Sequence, residues 1–244
     1  MTRFVSRSTP GARTRNGAVL VVVIYTAMSL LTGSLADASP APLHLGTTRS
    51  FAVLAGDGVV NIGSSTVTGN VGVYPNALEK GFATLKLQGK NHVADTAAGQ
   101  AQTALVFAYN DAVGRTPLNC VPNQLGSTTK LGYTYCISGN ATIDGTLTLD
   151  AQGHPNAVFI FQVHGGLITK PDSRVKLVHG ANACNVYWAL GTSATLNPSS
   201  TFVGTILARG SITATGGTRV SGRLFSRTST VTLFNTVVSK GKCA

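Results

Sequence analysis

The segment of residues 193–239 repeats one sequence pattern, and this repeat constrains the fold more than any other feature of the chain. Residues 202–208 (FVGTILA) are echoed by residues 220–226 (VSGRLFS) after a step of 18 residues. A shorter phrase of alternating residues precedes each of them. A repeat near twenty residues is typical of a solenoid of stacked β coils. In a stack, equivalent positions on successive coils form a column with about 4.8 Å between neighbours. The repeated threonines expected to form such a column are Thr195, Thr213 and Thr232.

An N-terminal segment carries the same pattern although it is far away in sequence. Residues 63–69 (GSSTVTG) resemble residues 198–204 (PSSTFVG) position for position. We therefore expect the N-terminal segment to add one more coil to the same stack. Residues 70–91 contain Pro75 and Gly81 and are expected to be irregular, wrapping an end of the solenoid.

Residues 93–113 change period and predict one long α-helix. Small and apolar residues recur there at helical spacing, with Asp95 placed to cap the first turn and Gly114 to end the helix. The alanine-rich stripe favours close packing along a flat β face, because it lacks the large apolar residues of a membrane-binding helix. Residues 156–162 (NAVFIFQ) form a continuous apolar run, which is typical of a strand covered on both faces.

Residues 1–38 have the pattern of a secretion signal. Four arginines precede an apolar run over residues 18–31, and Ala36, Asp37 and Ala38 form a small-x-small cleavage site. The apolar run is shorter than the ~20 residues that span a bilayer, so an uncleaved membrane anchor is the weaker alternative. We expect a secreted, extracellular protein that is free of the membrane after cleavage and whose residues 39–244 form a single domain.

The charged residues argue against two classes of function. Loss of the signal would take the formal net charge from +11 to +8, because four arginines and Asp37 leave. The remaining cations are dispersed and lack an aromatic platform, which argues against nucleic-acid binding. The remaining carboxylates do not form the pair that glycoside hydrolysis requires, and no G-x-S-x-G motif occurs. We therefore expect no enzymatic activity and no cofactor.

The four cysteines all follow the predicted signal. An even number in a secreted chain predicts two disulfides, for which three pairings are possible. Spacing favours Cys120 with Cys136 and Cys184 with Cys243. No C-x-x-C motif occurs and the histidines do not bracket the cysteines at ligand spacing, so we expect no metal site.

Several phrases, in the right order, resemble the ice-binding-protein-like family of secreted microbial β-solenoids. The similarity covers about residues 43–243. It implies a mainly β fold: a discontinuous right-handed β-helix (solenoid) of triangular section with one long α-helix packed alongside. It also implies an antifreeze-type protein that binds ice through one flat face, without metal or cofactor. The phrases are FAVLA at 51–55, AYNDA at 108–112, PNAVFIFQ at 155–162, NVYW at 185–188, GTILA at 204–208 and GRL at 222–224.

Two columns of the predicted stack compete for the ice-binding role. One contains Thr66 and Thr201 together with Arg174 and Arg219, whose hydrated guanidinium groups would disturb an ordered layer of water. The other contains the repeated threonines and is expected to carry no charge, so we favour it. Threonine is also a good strand residue on any solvent-facing sheet, which is the alternative explanation of this column. The predicted ice-binding residues are Asn140, Thr142, Ser193, Thr195, Ser211, Thr213, Thr215, Thr230 and Thr232.

The expected partner is the surface of an ice crystal, bound by a monomer. The main alternative function is a secreted surface or adhesion module without ice activity. A rigid solenoid with a net charge of +8 would suit glycans or anionic cell-wall polymers.

Overall fold

The computed structural model describes residues 39–241 as a β-solenoid with one α-helix, which confirms the expected fold class. The predicted signal, residues 1–38, lies outside the described residues. The helix α1 spans Thr96–Gly114, and short 3₁₀ helices span Gly46–Ser50, Phe82–Thr84 and Ala183–Asn185. The strands are β1 (Phe51–Ala55), β2 (Gly58–Ile62), β3 (Thr66–Thr68), β4 (Asn70–Val73), β5 (Leu78–Lys80), β6 (Lys86–Gln88), β7 (Asn91–Val93), β8 (Asn119–Cys120), β9 (Thr128–Lys130), β10 (Thr134–Ile137), β11 (Ala141–Ile143), β12 (Thr146–Asp150), β13 (Phe159–Val163), β14 (Leu167–Thr169), β15 (Arg174–Val178), β16 (Val186–Leu190), β17 (Ala194–Leu196), β18 (Thr201–Ala208), β19 (Ile212–Ala214), β20 (Arg219–Ser226), β21 (Thr230–Phe234) and β22 (Val237–Ser239).

These strands build three faces, and each strand pairs in parallel with the equivalent strand of the next coil. The threonine face has the order β11-β14-β17-β19-β21-β2-β5. The helix face contains β7, β4, β1, β16, β13, β10, β8 and the second halves of β20 and β18. The basic face contains β6, β3, β22, β15, β12, β9 and the first halves of β20 and β18.

The repeated glycine of the sequence pattern forms a corner. Strands β18 and β20 pass from the basic face to the helix face without a break, and Gly204 and Gly222 pair at the turning point. Gly204 has a φ of 112°, and a Cβ on Gly222 would collide with the carbonyl oxygen of Gly204. Only glycine therefore fits this close stacking of corners.

The N-terminal coil stacks on the C-terminal coil, as the sequence similarity of the two segments predicts. Strands β1, β2 and β3 pair with β20, β21 and β22, and Thr66 pairs with Val237. The expectation of irregular structure over residues 70–91 is wrong, because this segment forms β4, β5 and β6 of the end coil. Pro75 and Gly81 lie at corners between strands, where they do not interrupt pairing.

Helix α1 closes the helix face. It begins after Asp95, whose Oδ1 accepts a hydrogen bond from Ala98 N at 2.8 Å, as predicted. The helix starts later than the predicted residue 93, because residues 91–93 pair with β4 as strand β7. Its buried alanines and Leu105 pack against the apolar side chains of the sheet, and Gln162 Nε2 donates to Ala112 O at 2.9 Å. The strand that carries Gln162, β13, is buried throughout, as its apolar run predicts.

The interior is apolar and contains a stack of aromatic rings. Phe161 and Trp188 stack with ring centroids 4.0 Å apart, and Tyr135 and Phe202 extend the stack on either side. The Trp188 indole donates to Val203 O at 3.1 Å, which satisfies its buried N–H. This core makes the three faces rigid.

One predicted disulfide is confirmed. Cys120 is bonded to Cys136 and pairs β8 with β10. Cys184 is also disulfide-bonded, but its predicted partner Cys243 lies outside the described residues.

Candidate functional site

The threonine face is a parallel sheet with clean alternation. In β11, β17 and β19 the first and third residues are buried, and the middle residue is a partly exposed threonine. The buried residues are alanine, leucine and isoleucine, so packing fixes the pleat and therefore the direction of each threonine. Helix α1 packs against a different face, which leaves these threonines accessible to solvent.

The repeated threonines form a column, as predicted. Thr195 pairs with Thr213, and Thr213 pairs with Thr232. Neighbouring strands of a sheet lie about 4.8 Å apart, so the three side chains form a straight row at that spacing. We call the whole row the central column. Its residues, in spatial order, are Gln124, Thr142, Ile168, Thr195, Thr213, Thr232, Val60 and Lys80.

The threonine hydroxyls of the central column are available to water. Within residues 39–241, the side chains of Thr195, Thr213 and Thr232 make no hydrogen bond to another residue, and neither does that of Thr142. Each therefore offers one donor and two acceptor sites to solvent beside a methyl group. The hydroxyls of the column can form hydrogen bonds with ordered water, and its methyl groups can pack against the same water layer.

A second column, two residues earlier on each coil, is held by hydrogen bonds within the protein. Ser211 Oγ donates to Ser193 Oγ at 3.2 Å, and Thr230 Oγ1 donates to Asp57 Oδ2 at 3.0 Å. Asn140 Oδ1 accepts from Gly166 N at 2.7 Å. These bonds restrict the side-chain rotamers, so the polar groups of this column are ordered in advance.

Thr215 lies on the other side of the central column. It follows β19 directly, and its Oγ1 donates to Leu196 O at 3.1 Å. Five of the nine residues predicted from the sequence lie on strands of the threonine face, and the other four (Asn140, Ser193, Ser211 and Thr215) directly precede or follow one of its strands.

The central column differs from the sequence expectation at two points. Ile168 separates Thr142 from Thr195, so the threonines are not continuous. Lys80 lies at the other end, so the expectation that this column carries no charge is wrong at its edge strand. Strand β5 belongs to the end coil, which the sequence predicts to be irregular. The sequence pattern therefore does not place Lys80 in this column.

The sequence pattern also missed apolar members of this surface. Val60 extends the central column, and Ile62 pairs with Phe234 on the neighbouring strand. The side chains of Ile62 and Phe234 are 50% and 39% exposed. The alternation within residues 58–62 is the signal that could have found them, because outward Val60 and Ile62 alternate with inward Val59 and Asn61.

The basic face carries the competing column, as expected. Arg174 pairs with Thr201, which pairs with Arg219, and the same row continues through Val237 and Thr66. Its last member, Lys86, adds a third cation. An adsorbed water layer would have to accommodate three charges here, whereas the central column of the threonine face has a single one at its edge.

Other kinds of site find little support in the described part of the chain. No group of three or more His, Cys, Asp or Glu side chains within residues 39–241 is arranged to hold a metal ion. In the same range, no helix combines the length and the apolar character needed to cross a membrane.

Comparison with known proteins decides the family. The model of the Ice-binding-like family matches residues 53–239. The chain belongs to the ice-binding-like family. Within it, a curated ice-binding protein from Nostoc sp. (strain HG1) is 37% identical over 197 residues, covering 80% of this chain and 73% of the relative. An ice-binding protein from Colwellia sp. is 29% identical over 228 residues, covering 86% and 88%.

Solved structures of the ice-binding-like family share this architecture. A crystal structure of an ice-binding protein from an Antarctic biological consortium superposes with a TM-score of 0.82 at 33% identity, covering 83% of this chain and 92% of that one. A second, from the Antarctic ascomycete Antarctomyces psychrotrophicus, gives a TM-score of 0.80 at 31% identity, covering 83% and 100%. The family resemblance read from the sequence is thereby confirmed.

Proposed function

We propose that the protein is an antifreeze-type ice-binding protein that adsorbs to ice through the threonine face and inhibits ice growth or recrystallisation. The observation that carries this proposal is the central column, in which four threonine hydroxyls stand in register on a rigid sheet and form no hydrogen bond with any other side chain or backbone group of residues 39–241. Relatives and structural neighbours named as ice-binding proteins support the same function.

The physical requirements of ice binding match this surface. Ice is a solid and cannot adapt to the protein, so the binding surface must be ordered beforehand. Packing of a parallel sheet on an apolar core fixes the spacing between threonines, and β-branched side chains have few rotamers to lose. Ice that grows between adsorbed molecules must curve, which lowers its local freezing point. Neither a metal, a cofactor nor a catalytic residue takes part.

Thr213 offers the sharpest test, because it lies between two other threonines of the central column. A Thr213→Tyr substitution would raise a ring above the flat surface and separate the protein from the ice lattice. Thr201→Tyr is the matched control, since Thr201 is a partly exposed threonine on the basic face. We expect the first variant to lose most of the inhibition of ice recrystallisation and of crystal shaping, and the second to behave as the parent.

The parent protein and the two variants together test the ice-binding function separately from the choice of face. A parent protein without effect on ice would refute ice binding altogether. An active parent with an equally active Thr213→Tyr variant would refute the threonine face, and loss of activity in Thr201→Tyr would move the site to the basic face. Circular dichroism of each variant shows whether the fold is retained.

The proposal includes release of a monomer into the extracellular space after cleavage behind Ala38. The basic, apolar and small-x-small order of residues 1–38 supports it. Amino-terminal sequencing of protein recovered from the culture medium should begin at Ser39, and an intact amino terminus would contradict cleavage.

A further inference from the structure

The basic face presents cations in register with hydroxyl side chains. Arg174, Lys176, Arg219 and Lys86 are exposed on its strands. Three of them share one column, in which they alternate with threonine and valine. The column runs Thr146, Arg174, Thr201, Arg219, Val237, Thr66 and Lys86.

Strand pairing fixes the distances between these cations. Arg174 and Arg219 are two strands apart, which places their Cα atoms about 10 Å from each other. Arg219 and Lys86 are three strands apart, or about 14 Å. Lys176 stands beside Arg174 on the same strand, about 7 Å away. The cations thus form a straight row along the solenoid axis, held by the same core as the threonine face.

Carboxylates of the protein do not cancel this row. Within residues 39–241, none of the four cations forms a salt bridge; the ion pairs there join other residues. Asp150 lies at one end of the face and already accepts hydrogen bonds from Gln152 N at 2.7 Å and His179 Nδ1 at 2.8 Å. Asp172 lies at the corner that precedes β15. The face therefore keeps an excess of positive charge.

We propose that the basic face is a second binding surface, which takes a linear polysaccharide that carries carboxylate groups. Arginine and lysine form charge-assisted hydrogen bonds with carboxylates. The hydroxyls interleaved with them, such as those of Thr146, Thr148 and Thr201, can exchange hydrogen bonds with sugar hydroxyls. A straight row of cations about 10 and 14 Å apart fits an extended polymer that carries charges along its length.

Two other polyanions fit this surface less well. Single-stranded nucleic acids are bound by stacking on aromatic rings, and the outward side chains of the described basic face include none. A broad flat sheet also does not enter a groove of a duplex. An anionic membrane would need apolar anchors, and Val237 is the one large apolar side chain exposed on the described strands of this face.

The test measures binding of the full protein to polygalacturonate at low ionic strength, with dextran as the neutral polymer. The triple variant Arg174→Gln, Lys176→Gln, Arg219→Gln should bind polygalacturonate about tenfold more weakly than the parent, since each exposed ion pair contributes modestly. A control variant, Lys80→Gln, Lys170→Gln, Arg209→Gln, removes the same charge from outside the basic face and should bind nearly as the parent does.

Salt and ice activity complete the test. Binding should weaken as ionic strength rises and should be absent with dextran. The triple variant should keep the ice activity of the parent, because its substitutions lie on another face. A parent that does not bind polygalacturonate overturns the proposal, and so does an equal loss in the control variant. Equal or tighter binding to duplex DNA or to phosphatidylglycerol vesicles would assign the face to a different class of partner.

Discussion

At the scale of single residues, the neighbours of a threonine in its column matter more than its presence. Thr213 and Thr201 are both partly exposed threonines in parallel sheets. Thr213 has a threonine on each side, whereas Thr201 lies between Arg174 and Arg219. Water near a hydroxyl between two cations is oriented by the charges. Water near a hydroxyl between two threonines meets only uncharged groups and can continue an ordered layer along the column. The same residue type is therefore expected to bind ice on only one face.

Asp95 shows a different effect of local environment. Its carboxylate accepts a hydrogen bond from Ala98 N and another from His92 Nδ1, at 2.8 and 2.7 Å. The backbone hydrogen bond first, and His92 second, lower the pKa of Asp95 below its ordinary value of 3.8. A lowered pKa in the folded state stabilises the protein above the unfolded pKa. This stabilisation is lost as the pH falls through the folded pKa.

Replacing Asp95 should therefore weaken the start of α1 in a pH-dependent way. We expect Asp95→Ala to lower the free energy of unfolding by about 1 kcal/mol at neutral pH, because the cap is lost. The difference from the parent should shrink below pH 3.8. Urea denaturation at neutral pH and below pH 3.8 measures the free energy of unfolding of both proteins. Asp95→Asn is the control, because it keeps a capping oxygen. A difference between parent and Asp95→Ala that does not depend on pH would contradict this account.

At the scale of elements, strand β2 joins a surface that the C-terminal repeat begins. It pairs with β21 along its whole length and places Val60 beside Thr232. Threonine presents a methyl group and a hydroxyl to the proposed ice surface, and valine presents methyl groups. An outward valine can therefore continue the apolar part of the column. The proposed ice-binding surface is then wider than the sequence repeat that indicates it.

Substitution of Val60 tests whether β2 belongs to the ice-binding surface. Val60→Lys puts a charge inside the central column and should reduce the inhibition of recrystallisation severalfold. Val237→Lys puts the same charge on β22 of the basic face, where Val237 is 37% exposed, and should leave ice activity unchanged. Full activity in Val60→Lys would exclude β2 from the proposed ice-binding surface.

At the scale of the whole molecule, the two ends of the chain depend on each other. The N-terminal coil lies between two others, because β3 pairs with β6 of the end coil on one side and with β22 of the C-terminal coil on the other. The helix α1 and a disulfide-linked loop are inserted before the solenoid resumes. Among the described pairings, those of β1, β2 and β3 with β20, β21 and β22 join the segments most distant in sequence, so we expect them to form late in folding.

A core change in the N-terminal coil should lower the stability of the entire solenoid. Val67 is fully buried on β3, and Val67→Ala should cost about 2 kcal/mol. Fluorescence of Trp188, which is buried on β16, and far-UV circular dichroism should report the same shifted midpoint. Val237→Ala on the adjacent strand is the exposed control, expected within about 0.5 kcal/mol of the parent. A transition seen by circular dichroism before Trp188 responds would show that the N-terminal coil unfolds separately.

The sequence by itself determined the features that depend on local pattern. The steps of 18 and 19 residues placed Thr195, Thr213 and Thr232 in one column, and the change of period placed the helix and its cap. The resemblance of residues 63–69 to residues 198–204 placed the N-terminal coil in the stack. These inferences succeed because a repeated period forces equal geometry on each coil.

Only the tertiary structure decided which strands complete the threonine face. Thr142, Ile168 and Thr195 are separated by 26 and 27 residues, because their coils carry longer connections, so the short period cannot align them. The roles of Val60 and Lys80 depend on pairing between β21, β2 and β5, and the available hydroxyls depend on which groups lie nearby in space. Register across distant segments is a property of packing, which the local sequence does not encode.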